Sequence, residues 1–188
     1  KNTCTAIAAR ARQYGVPLAG YVSAAFGYRC AANTPRQNVQ DVAIDTLIEH
    51  IEFYLALGAQ TITLSDLQGV ASPKKTEDTF TALFKKLAPR HSNIRAIIGH
   101  HPHHTDPTVG IQLVKSAYAA GVRLFDGSLC AAGGCITGAP GNIDTAGLVA
   151  SFDKMNIPTG IDREKLAAAE AAFSRTNPVF TGNKSQRL

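Results

Sequence analysis

Four short apolar, β-prone runs alternate with amphipathic stretches along the chain, and that alternation limits the fold more than any other feature. The strand candidates are "VPLAGYVSAAFG" from Val16, "QTITLSD" ending in Asp66, "IRAIIG" from Ile94 and "VRLFDGSLC" ending in Cys130. Between the first two, from Asn38 to Gly58, apolar residues recur three or four apart at Val39, Val42, Ile44, Leu47, Ile48, Ile51, Tyr54 and Leu55. That is the stripe of a core-facing helix, and Gly58 marks its stop. Pro73 opens a second helix, "KKTEDTFTALFKKLA", and "TVGIQLVKSAYAAG" reads as a third, stopped by Gly121. Residues 145–173 read as two more helices around the turn "NIPTGID", and residues 2–14 as a helix with no strand before it. A domain of residues 1–175 is expected, followed by a polar tail, 176–188.

Strands this apolar suit a parallel sheet covered on both faces. The β-α alternation then admits a doubly wound sheet or a (β/α) barrel. No GxGxxG follows any strand, which weakens a dinucleotide-binding fold. The polar residues Ser23, Asp66, the histidines of 100–104 and Asp126 all fall at C-terminal strand ends, which in a barrel share one face, the usual place for chemistry. A barrel needs eight strands and only four are legible. The expectation is therefore an α/β fold, the C-terminal half of a TIM (β/α)8 barrel that begins in the helix before the fifth strand. Its outer strands would carry unpaired edges.

With 45% hydrophobic residues in 188, the chain can bury a core. The net charge of +5 is scattered, with doublets such as Lys74-Lys75 but no basic block with interleaved aromatics, so no nucleic-acid partner is expected. No apolar run approaches the length of a membrane span, and no basic-then-apolar leader is seen. Cys4, Cys30, Cys130 and Cys135 have no CxxC spacing, so reduced thiols in an intracellular setting are expected. The terminal Gln-Arg-Leu is a poor match to a peroxisomal signal.

Candidate chemistry gathers in two places. "GHHPHHTD" holds four of the six histidines between positions 100 and 104. In an extended segment residues two apart point the same way, so His101 and His103 can converge on a divalent metal, although a shift in register toward His104 is open. The second place is "AAGGCITGAPGN", from Ala131 to Asn142. Its Cys135 sits among glycines that let a loop fold over a ligand; the thiol could donate a proton, attack, or merely fill space. Asn142 offers a hard amide oxygen suited to Mg²⁺ or Mn²⁺, or serves a turn. Asp66 and Asp126 are either turn and cap formers or site groups.

"GYVSAAFG", "ITLSDLQGVASP", the His-x-His segment, "RLFDGSLCAAGGC" and "GAPGN" stand in the order and spacing of the 3-hydroxy-3-methylglutaryl-CoA lyases. The chain resembles that family over roughly residues 3–173. The resemblance implies a metal-dependent TIM barrel that cleaves hydroxymethylglutaryl-CoA to acetoacetate and acetyl-CoA. It implies His101, His103 and Asn142 as ligands of Mg²⁺ or Mn²⁺, His101 also as a base, and Cys135 as the thiol of a closing loop. It places Tyr21, Ser23 and Asp66 beside the acyl-CoA substrate, with Asp66 also among the catalytic groups. It further implies a homo-oligomer when complete, in the mitochondrial matrix or cytoplasm. Three departures stand out. His104 is an extra residue after the histidine pair, the family's Asp-Thr after the second strand is "SDLQG" here, and its first-strand Arg-Asp pair has no counterpart in these residues. A site without that carboxylate should hold metal weakly, so the fragment alone is expected to be inactive. The alternatives are a non-catalytic half-barrel partner and a related aldolase or acyl-CoA synthase.

Overall fold

The computed structural model describes residues 2–29, 39–133 and 140–177. Helix α1 (Asn2–Gln13) leads into β1 (Ala19–Val22), and α2 (Ile44–Ala56) into β2 (Thr61–Ser65). Helix α3 (Pro73–Leu87) and the single turn α4 (Ile94–Ile97) precede β3 (Ile98–His101), which α5 (Pro107–Ala120) connects to β4 (Leu124–Phe125). A 3-10 turn (Leu129–Ala131), α6 (Thr145–Lys154) and α7 (Arg163–Thr176) follow.

The helix boundaries have local causes. Ser72 caps α3, its hydroxyl accepting from Lys75 N at 3.2 Å, with Pro73 in the first turn where a missing N–H costs nothing. Asp106 caps α5 through Thr108 N at 2.8 Å, and Asp144 caps α6 through Gly147 N at 3.2 Å. Gly121 ends α5 at φ +115°, a left-handed conformation that favours glycine.

The four strands are parallel and ordered β1-β2-β3-β4. A doubly wound sheet reverses its strand order at a switch point. This one proceeds in sequence order, as barrel strands do. The main core lies between sheet and helices, where Leu47, Ile51, Ile62, Leu64, Phe80, Leu83, Phe84, Ile98 and Leu113 are sealed from solvent. Burying each such side chain contributes on the order of 1.5–3 kcal/mol. A smaller cluster, Ile111, Val114, Ile143, Leu148 and Phe152, joins α5 to α6.

The flanks contrast with this core. Helix α1 buries only Ala8, and Ile7, Tyr14 and Val16 stay more than half exposed. Among the described residues β1 and β4 each pair on one side only. No described helix is long and apolar enough to cross a membrane.

Three details depart from the sequence expectation. "IRAI" forms a helical turn, and the strand starts only at Ile98. Ile94 and Ile97, three apart, both face the core, and a run this short fits either period. Helix α2 starts at Ile44, not Asn38, because Gln40 pairs with Tyr28 in an antiparallel bridge. Strand β4 is only two residues long. Residues 178–188 of the expected tail lie outside the described residues.

Candidate functional site

The strand register brings the polar strand ends to one edge of the sheet. Ser65 pairs with His101 and His100 with Phe125. Just past these pairs, Asp66 N donates to His101 O and Asp126 N to His100 O, both at 3.1 Å. Tyr21 and Asp126 also show how the sheet is shaped. They stand at its first and last strands, roughly 14 Å apart if the sheet were flat. Yet Tyr21 Oη donates to Asp126 Oδ2 at 2.6 Å. The sheet must curl so that both side chains project inside the arc, and the face they enclose also holds His101.

His103 is fully buried, and its Nδ1 donates to the Pro140 carbonyl at 2.9 Å. That bond places a proton on Nδ1, and Nε2 is buried with no hydrogen-bond partner among the described residues. A backbone carbonyl holding one ring nitrogen while the other faces inward is how metal-binding imidazoles are usually oriented. The His101 ring lies 4.7 Å from that of His103, and its Nδ1 is likewise buried and without a hydrogen bond. His103 bridges to Asn142 in an antiparallel pair, and Asn142 Nδ2 donates to Ala132 O at 2.7 Å. The amide orientation is thereby set, and its oxygen is the group that can meet His101, with which the Asn142 side chain interacts, or a cation.

Burial first, and the neighbouring His103 second, hold His101 below the ordinary imidazole pKa, while Asp126 and Asn142 pull the other way. The net effect favours the neutral ring, the form that can bind a metal or accept a proton.

The other histidines separate cleanly from this pair. His100 points into the core, with Phe26 and Phe80 centroids each 5.2 Å away. His104 Nδ1 accepts from Asp106 N at 2.9 Å. The structure thus brings together His101, His103 and Asn142 and leaves His104 in its own turn.

Asp66 is fully buried beneath the site. Its two carboxylate oxygens accept from Val70 N and Ala71 N, each at 2.9 Å. Burial pushes its pKa up, against the two amides and the positive potential of His103 and His104. Its visible work is to pin the loop between β2 and α3. Ser23 is exposed one residue beyond β1, and Tyr21 is half exposed at the mouth of the site. Cys135 lies outside the described residues.

Two supports were not legible in the sequence. Gly69, at φ +60°, lets Pro140 approach so closely that a Cβ there would stand 2.3 Å from Pro140 Cγ and 3.0 Å from His103 O. Arg29 and Gln68 clasp the two loops above β1 and β2, with Arg29 N donating to Gln68 Oε1 at 2.6 Å and Arg29 Nη2 to Gln68 O at 3.0 Å. The glycine in "DLQG" was the one available signal for the first; nothing in the sequence pointed to the second.

The donor set suits a divalent cation in kind: two imidazoles, each with an orphaned buried nitrogen, and an amide oxygen. It is short in number and charge, since among the described residues no group of three His, Cys, Asp or Glu side chains could hold a metal.

A sequentially ordered parallel sheet, curled so that its end strands touch across a histidine-lined face, is half of a (β/α)8 barrel. The chain belongs to the HMGL-like family, whose model matches residues 2–172. It is 30% identical over 184 residues to the hydroxymethylglutaryl-CoA lyase of Pseudomonas mevalonii, covering 97% of this chain and 56% of that protein. It is 37% identical over 123 residues to 4-hydroxy-2-oxovalerate aldolase 6 of Rhodococcus jostii, covering 65% of this chain and 31% of that protein. Among solved structures, an HMG-CoA lyase from Acinetobacter baumannii, in complex with coenzyme A and 3-methylmalate, superposes with a TM-score of 0.73 at 29% identity, covering 95% of this chain and 52% of that one. The chain thus spans about half the length of the lyases it matches.

Proposed function

We propose that this chain supplies the histidine–asparagine half of a metal-dependent carbon–carbon lyase that, in the intact protein, cleaves hydroxymethylglutaryl-CoA to acetoacetate and acetyl-CoA. The observation that carries this reading is His103, buried, with Nδ1 held by Pro140 O and Nε2 buried without a hydrogen-bond partner among the described residues. His101, His103 and Asn142 would hold Mg²⁺ or Mn²⁺. When bound, the cation supplies electrophilic stabilisation of the charge that develops on the substrate's hydroxyl oxygen. The remaining ligands, including the carboxylate expected from family resemblance, come from outside these residues.

The chain's own residues do the rest. His101, kept neutral by burial, has a single ring lone pair; when that lone pair is not on the cation, it accepts the hydroxyl proton as the carbon–carbon bond breaks. Tyr21 and Ser23 at the rim contact the acyl-CoA, while Asp66 holds the loop that carries Gly69 and so supports the seat of His103. Cys135, on its glycine-rich loop, would return a proton to the enolate of acetyl-CoA.

A second reading has a specific basis, the 37% identity to a 4-hydroxy-2-oxovalerate aldolase. That substrate, like hydroxymethylglutaryl-CoA, carries a hydroxyl β to a carbonyl, so the same base and cation would serve; the two differ in whether a CoA thioester is present. Incubating the intact protein with each compound and Mn²⁺, with products followed by mass spectrometry, separates them. Acetoacetate and acetyl-CoA from the first compound alone supports the lyase. Turnover of only the second supports the aldolase.

A further inference from the structure

We infer that Asp126 is the positioning residue for His101, and that Tyr21 is its brace. The inference deepens the reading of His101 as a metal ligand, and rests on that reading for its functional consequence. The observation is a crossbar over the site. Tyr21, from β1, donates its hydroxyl to Asp126 Oδ2 at 2.6 Å, across 105 residues of sequence. The same Oδ2 stands 3.9 Å from His101 Nδ1, on the strand beside it. The Tyr21 backbone is held in turn by Tyr54 Oη, which donates to Tyr21 O at 3.2 Å, and Asp126 N is anchored on His100 O at 3.1 Å. The carboxylate is therefore fixed from both sides, and it stands near a buried ring nitrogen that has no hydrogen-bond partner among the described residues.

His103 shows what such an arrangement does. An oxygen acceptor at its Nδ1 fixes the tautomer and leaves Nε2 free. His101 has no carbonyl in that place; it has the Asp126 carboxylate, a stronger acceptor for an N–H. At 3.9 Å the contact is too long for a hydrogen bond, and a small rotation of the His101 ring would close it, as catalytic contacts commonly tighten when a site is filled. A competing pull exists: the Asn142 side chain also interacts with His101. A proton drawn to the Asp126 side leaves Nε2 as a donor to a cation. A proton on Nε2 would block it. Asp126 decides between the two tautomers, and Tyr21 keeps the carboxylate in place. Neither residue needs to touch the substrate to do this.

The test reads the tautomer directly. The intact protein, labelled with ¹⁵N-histidine and free of metal, is examined by long-range ¹H–¹⁵N correlation, with His101→Gln assigning the signals. Wild type is expected to carry the His101 proton on Nδ1. Asp126→Ala should move it to Nε2 and weaken Mn²⁺ binding, followed by electron paramagnetic resonance, by about 10- to 100-fold, the usual loss when a ligand's orienting partner is removed. Asp126→Asn keeps the shape and an acceptor oxygen and should fall between the two. Tyr21→Phe should keep the Nδ1 tautomer with a smaller loss of affinity. A residue that only stabilised the fold would lower Mn²⁺ affinity without moving the proton. The inference is overturned if wild type carries the proton on Nε2, or if Asp126→Ala leaves the tautomer unchanged; should that variant not fold, an unchanged tautomer and affinity in Asp126→Asn overturns it. If wild type binds no Mn²⁺, the metal reading fails, while the tautomer comparison still decides the role of Asp126.

Discussion

Replacing His100 by leucine should make the protein less sensitive to acid. His100 is sealed in the core, edge-on to Phe26, Phe80 and Phe125, and neither ring nitrogen has a hydrogen-bond partner. Burial, with a smaller contribution from His101, drives its pKa from 6.5 down to about 3. A lowered histidine pKa means that the folded state refuses a proton that the unfolded chain accepts. Stability contributed by this group is thus unaffected above about pH 6.5 and is lost progressively as pH falls toward 3. At pH 5 the unfolded histidine sits about 1.5 pH units below its pKa, and at roughly 1.4 kcal/mol per unit the loss is about 2 kcal/mol. Leucine has a similar volume and no proton to bind. At pH 7 it also removes an unpaired donor and acceptor, a gain of about 1–3 kcal/mol, offset by shape mismatch of up to about 1.5 kcal/mol. Urea unfolding of the intact protein and of His100→Leu at pH 7 and pH 5, at one ionic strength, gives a double difference from which groups common to both cancel. The leucine variant should gain about 2 kcal/mol relative to wild type between the two pH values. The same difference at both would refute the assignment of His100 as a buried neutral ring.

Other outcomes follow from the site. Gly69→Ala should destabilise by about 1–3 kcal/mol from the left-handed backbone alone, and more from the contact with Pro140; because Pro140 O holds His103, Mn²⁺ affinity should fall with it, and an unchanged urea midpoint and titration would show that the loop relaxes freely. His103→Ala should abolish Mn²⁺ binding while the fold, followed by circular dichroism, survives; full binding in that variant would remove His103 from the ligand set. Cys135→Ser should lower turnover by a factor of about 10² or more as a lost proton donor does, with substrate affinity changed less. Cys130→Ser should retain most activity, since the Cys130 thiol turns to α7 and lies 3.4 Å from Ser174 Oγ. Equal, near-normal rates in the two serine variants would leave Cys135 no catalytic part.

Strand and helix periods were legible because the apolar positions of α2, α3 and α5 recur at helical spacing and those of β2 do not. Helix limits were legible too, at the Pro73 start of α3 and the glycine stops at Gly58 and Gly121. The misreadings fall where the local signal was short. "IRAI" carries two isoleucines that satisfy either period, and β4 keeps only two residues of its apolar run. The histidine register could not be read from spacing. His103 and His104 differ only in what folds over them: Pro140 and Asn142, nearly 40 residues on, choose His103, while Asp106 claims His104. Asp66 could have been a turn former or a site group from its position at a strand end; the amides that donate to it, from Val70 and Ala71, lie in its own loop, whose shape no apolar period reveals. The link between Tyr21 and Asp126 depends on the curl of the whole sheet, which no local pattern encodes.

The account stands most directly on one measurement. The intact protein, stripped of metal and then supplied with Mn²⁺, is given hydroxymethylglutaryl-CoA beside the His103→Ala variant, and acetyl-CoA and acetoacetate are quantified. Equimolar formation of both products, dependent on Mn²⁺ and absent in His103→Ala, is the expected result. Mn²⁺ bound at the wild-type site with no cleavage of this thioester, or cleavage undiminished in His103→Ala, would contradict it.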